Sequence, residues 1–133
     1  MWQRGELPGW SGLYRADDSA RAIETDGAAL TRFRVGEPFD LAGRLAADPD
    51  EMTEIDESAR APLPTGGLVV SGEGAYGSEG FFARLDAAGE LAWVVFLREG
   101  NPFHGIAVDW PHATFVNNLG NRVTVDLTEE LYE

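Results

Sequence analysis

The segment Leu91-Ala92-Trp93-Val94-Val95-Phe96-Leu97 is apolar at odd and even positions alike. Successive side chains of a strand point to opposite faces. A strand apolar at both parities is covered on both faces. The segment therefore predicts a central strand with Trp93 buried.

The chain around this segment reads as a β-meander. Phe81 to Asp86 predicts a strand that leads into the turn Ala87-Ala88-Gly89. Gly105 to Trp110 and Ala113 to Val116 predict two more. The loop Asn117-Asn118-Leu119-Gly120-Asn121 carries turn residues throughout. After it, Arg122 to Leu127 alternates, with Val123, Val125 and Leu127 facing in. Nearer the N-terminus, Ala22 to Thr25 and Leu30 to Val35 flank Asp26-Gly27, a favoured tight-turn pair, and predict a second hairpin. Trp2, Trp10 and Tyr14 read as aromatics that close one end of a core.

Two helices are expected between these regions. Phe39 to Ala47 places Leu41 and Leu45 on one face. Asp48-Pro49-Asp50-Glu51 has the form of a helix start, with Asp48 as cap, Pro49 at the first helical position and Glu51 closing a capping box. Met52, Ile55 and Ala59 then lie at i, i+3 and i+7 on one apolar stripe. The fold class expected is α+β: one domain over residues 1–133, with an antiparallel β-meander sheet of five to seven strands and one or two short helices.

The chain has 23 acidic residues against 10 basic ones, a net charge of -13 over 133 residues. Every basic residue is Arg. The acidity is concentrated: residues 46–79 hold eight acids and one Arg. Six of those carboxylates lie between Asp48 and Glu57. Such a surface repels nucleic acid phosphates and anionic lipid and attracts a basic protein. No cysteine is present, so disulfides, thiolate metal sites and Cys nucleophiles are excluded. Residues 1–8 lack the apolar core of a secretory leader, and Leu91–Leu97 is too short to span a membrane. A cytoplasmic location is expected.

Motifs that would carry catalysis or cofactor binding are weak. Gly72-Glu73-Gly74-Ala75-Tyr76-Gly77 matches a dinucleotide glycine pattern after the apolar Leu68-Val69-Val70. That chemistry needs a helix to follow, and Glu73 would face the phosphates; a glycine-rich bend is the simpler reading. His104 and His112, with Asp109 between them, fall short of the three or four convergent ligands of a metal site. Ser71 or Ser78 with His104 and Asp109 could be written as a triad, but no nucleophile-elbow pattern supports it. No cofactor, metal or catalytic residue is therefore assigned.

Gly74 to Asp86, read as Gly-Ala-Tyr-Gly-Ser-Glu-Gly-Phe-Phe-Ala-Arg-Leu-Asp, and Trp93 to Leu97, carry a loose resemblance. In a small, acidic, Cys-free chain they resemble the immunity proteins of bacterial polymorphic toxin systems. The resemblance implies a non-enzymatic binding module that occludes the basic active site of a cognate toxin; from the apolar content and the lack of Cys, a monomer or weak dimer is expected. Asp50, Glu51, Glu54, Asp56 and Glu57 are the expected partner-binding residues, and neither nucleic acid nor membrane is an expected partner. The alternative is a small hydrolase or ligand-binding domain that uses the Gly72–Gly80 loop and His104. A structural or regulatory subunit is a third class.

Overall fold

The computed structural model describes residues 2–129. Its strands in chain order are β1 (Glu6–Pro8), β2 (Gly12–Tyr14), β3 (Ala20–Glu24), β4 (Arg34–Pro38), β5 (Met52–Glu54) and β6 (Asp56–Pro62). They continue with β7 (Leu68–Glu73), β8 (Gly80–Leu85), β9 (Leu91–Leu97), β10 (Phe103–Asp109), β11 (His112–Asn117) and β12 (Arg122–Asp126). The α-helix α1 spans Leu41–Ala47, and 3-10 turns cover Trp2–Arg4 and Gly27–Ala29. The architecture is mostly antiparallel β-sheet with one α-helix among the described residues, consistent with an α+β class.

The main sheet runs β4-β3-β2-β9-β8-β7-β6, so β9 lies at its centre. Trp93, Val95 and Leu97 project into one core, where they meet Phe82 and the three-stranded sheet β10-β11-β12. Phe82 stacks on Phe115 with ring centroids 4.3 Å apart and meets Phe103 edge-on at 5.4 Å. Val94 and Phe96 project the other way, into a second core with Tyr14, Phe81, Leu7 and Leu41. The small sheet β1-β5 and α1 supply the cover on that side. The double apolarity of β9 thus corresponds to two separate cores, and Trp93 to Leu97 are all fully buried. Complete burial of a large apolar side chain contributes about 1.5–3 kcal/mol.

The N-terminal aromatics close the second core. The Tyr14 hydroxyl donates to the Trp10 carbonyl at 2.5 Å, and Trp2 meets Phe81 edge-on at 5.9 Å. The α1 helix forms within the expected segment. The Asp40 carboxylate accepts from the Gly43 N–H at 3.1 Å and caps its first turn. Leu41 is buried and Arg44 lies over the Phe39 ring at 4.1 Å.

The second expected helix does not form. Asp48 ends α1, donating its N–H to the Arg44 carbonyl at 2.9 Å, and the chain then enters β5 and β6. Met52, Ile55 and Ala59 are half-buried, but through strand packing rather than a helical stripe. The physical reason lies in the same charges. On a helix, Asp50 would stand one turn from Glu54, and Glu54 would stand three residues from both Glu51 and Glu57. Like charges at those spacings destabilise a short helix, which is marginal by itself. Pairing of β5 with β1 and of β6 with β7 gains backbone bonds that outweigh the local signal.

The Asp26-Gly27 turn is also longer than expected. The Asp26 carboxylate accepts from the Thr31 N–H at 2.9 Å, the Arg32 N–H at 3.2 Å and the Thr31 hydroxyl. This gathers residues 26–32 into a loop, so β4 begins at Arg34 rather than Leu30.

Candidate functional site

The acidic run occupies an edge of the molecule. Asp50 lies in the turn after α1, Glu54 ends β5, and Asp56 and Glu57 open β6, the outermost strand of the main sheet. Asp50, Glu54, Asp56 and Glu57 are exposed, and Glu51 is half-buried. Glu57 is engaged by Arg60 through both guanidinium and carboxylate atoms, at 2.9–3.1 Å. Glu51 stands 3.9 Å from Arg98. Asp50, Glu54 and Asp56 form no ion pair among the described residues.

The strand register sharpens this picture. Glu54 of β5 stands directly opposite Glu6 of β1, and Asp56 of β6 stands directly opposite Glu73 of β7. Like charges placed directly across a strand pair oppose its formation. The fold therefore holds two repulsive carboxylate pairs within a few residues of each other.

Thr53, between these acids, ties the run to the glycine-rich loop. It is buried, and its hydroxyl donates to Glu79 Oε1 at 2.7 Å. The Ala75 N–H donates to Thr53 Oγ1 at 3.1 Å. Glu79 Oε1 also accepts the Tyr76 N–H at 3.3 Å, and the Glu79 N–H donates to the Tyr76 carbonyl at 3.0 Å. Glu79 is only 4% exposed and has no ion pair among the described residues. Tyr76 stands out at 70% exposure.

This geometry removes the dinucleotide reading of Gly72–Gly77. The loop joins two antiparallel neighbours, β7 and β8, and no helix follows it. Its glycines answer to packing. A Cβ on Gly72 would fall 1.9 Å from the Asp56 carbonyl oxygen, and one on Gly74 would fall 2.2 Å from Glu79 Oε1. The first lets β6 and β7 approach, and the second makes room for the buried carboxylate.

Between the acidic run and this loop lies an open cavity of about 340 Å³. Asp50 to Thr53 form one wall, Tyr76, Ser78 and Glu79 another, and Gly9 and Arg98 complete it. Neither His104 nor Trp110 lines it, so the pocket that the hydrolase alternative needs from Tyr76, His104 and Trp110 is not assembled there.

The histidines are exposed and separate. His112 stands opposite Asp109 across the β10–β11 turn, whereas His104 is at the other end of β10. Five residues of strand put His104 about 16 Å from Asp109, too far for the triad written from the sequence. No group of three or more His, Asp or Glu able to hold a metal occurs among the described residues. No helix among them is long and apolar enough to cross a membrane.

The Thr53–Glu79 link escaped the sequence analysis, although both partners flank motifs it singled out. A lone Glu at the end of a glycine-rich turn gives no sign of burial. No protein-family model, curated protein or solved structure matches the chain.

Proposed function

We propose that this chain is a non-enzymatic acidic protein-binding module that docks a basic partner along Asp50, Glu51, Glu54, Asp56 and Glu57. The observation that carries the reading is the pair of like-charged cross-strand contacts, Glu54 with Glu6 and Asp56 with Glu73. They work against local stability, and neutral residues at these exposed positions would serve the fold better. Local conflicts of this kind are expected where a surface serves function rather than stability. The resemblance to immunity proteins adds a partner class: a toxin whose basic cleft the acidic edge would occlude. An acidic edge steers such an encounter electrostatically and then blocks access to the cleft.

The test is association kinetics with a partner recovered by pull-down from the native host. The on-rate should fall steeply as salt rises. Reversing Glu54, Asp56 and Glu57 to Arg should slow association at least tenfold while the domain stays folded. An on-rate that responds neither to salt nor to the triple reversal would show that this edge is only a solvated face.

A further inference from the structure

We infer that the cavity between Thr53 and the Tyr76–Glu79 loop is an anchor pocket for one basic side chain, arginine or lysine, of the partner. This rests on the acidic-module reading and adds a specific site to it. Three carboxylates, from Asp50, Glu51 and Glu79, line the cavity against a single guanidinium, that of Arg98.

Glu79 is the second observation, independent of the surface charge. It is 4% exposed, and no cation pairs with it among the described residues. Its Oε1 is taken by the Thr53 hydroxyl and the Tyr76 N–H. Its Oε2 has no hydrogen bond among the described residues and is not sealed from solvent. Glu79 lines the cavity, so a cation that enters there can pair with this largely buried carboxylate.

Arg98 does not fill that role. Its side chain is 59% exposed and stays 3.9 Å from Glu51. The volume, about 340 Å³, is at the small end of ligand-sized pockets and suits one long side chain. Tyr76, on the rim, offers an exposed ring against which a cation can lie. Arginine and tyrosine in desolvated pockets are enriched among the residues that anchor protein interfaces.

The experiment is an amide NMR titration of the full chain at low salt with a hexa-arginine peptide, with hexa-citrulline as the neutral control. Hexa-arginine should produce saturable shifts at Thr53, Ala75, Tyr76 and Glu79, and hexa-citrulline should produce none. Glu79→Gln keeps the acceptor for Thr53 and Tyr76 but removes the charge, and should weaken binding about tenfold. Tyr76→Ala removes a ring outside both cores and should weaken it about threefold. The Tyr76 variant keeps the test open should Glu79→Gln perturb folding. Affinities at these amides unchanged by a folded Glu79→Gln or by Tyr76→Ala would overturn the pocket. Shifts confined to Glu54, Asp56 and Glu57 would overturn the pocket and leave the acidic edge standing. No shifts anywhere would overturn both.

Discussion

Replacing Glu54 by Gln and Asp56 by Asn together should stabilise the protein. Each substitution keeps the side chain's shape and removes one partner of a cross-strand carboxylate pair, with Glu6 and Glu73 respectively. Side chains directly opposite lie about 5 Å apart at Cβ, and a like-charged pair costs about 0.2–1 kcal/mol. Coulomb's law in water agrees, giving roughly 0.7 kcal/mol for unit charges about 6 Å apart. Two pairs on different strand neighbours should add, so the double variant should gain about 0.5–2 kcal/mol. For a chain of this length that raises Tm by roughly 2–8 °C. The assay is thermal or urea unfolding at low salt and again near 1 M salt, where the screening length falls to about 3 Å. The gain should shrink at high salt. Glu57→Gln is the control: it gives up the bidentate contact with Arg60 and should not stabilise. A double variant less stable than the parent at low salt, or a gain indifferent to salt, would refute the argument that these acids oppose the fold.

Trp93→Ala should cost about 3–5 kcal/mol in urea unfolding, because the side chain is fully buried in the central strand and meets Phe82 edge-on. Ser71→Ala should be neutral or stabilising by about 1 kcal/mol, since the buried Ser71 hydroxyl has no hydrogen-bond partner among the described residues; a loss above that amount in the same assay would reveal a bond. Burial pushes the Tyr14 phenol far above its ordinary ionisation range, with the Arg44 guanidinium pulling the other way. Unfolded tyrosine ionises near pH ~10, so the folded state keeps a proton that the unfolded state loses. The contribution of Tyr14 is therefore fully present below that pH and is lost as pH rises above it. Tyr14→Phe should flatten the alkaline decline in unfolding free energy, at a cost near neutral pH of about 1 kcal/mol for the lost bond to Trp10.

Glu54 and Asp56 show why a local pattern and a tertiary pairing can disagree. In the linear chain they follow a capping pattern at Asp48 to Glu51 and lie among the apolar stripe Met52, Ile55 and Ala59, and both describe a helix. Their actual neighbours are Glu6 and Glu73, distant in sequence. Which strand pairs with which is decided by long-range backbone bonding and burial, and no window of ten residues contains that information. The Asp26 loop failed for a related reason: its length depends on which N–H groups, five and six residues on, the carboxylate reaches.

What the sequence determined by itself was the set of elements whose cause is local. Seven consecutive apolar residues require cover on both faces, and β9 has it. The alternation of Arg122 to Leu127 sets which side of β12 is core. Asparagine and glycine set the turn at 117–121. The net charge is likewise readable without a fold. Only the tertiary structure decided that β2 lies beside β9, joining strands about 80 residues apart in one sheet. It also decided that the buried Asn117 amide bonds the carbonyls of Ala28 and Gly100. The Thr53–Glu79 bond that walls the candidate pocket is of the same kind. These contacts join residues 17 to 89 positions apart, so they exist only once the two cores have closed around the central sheet.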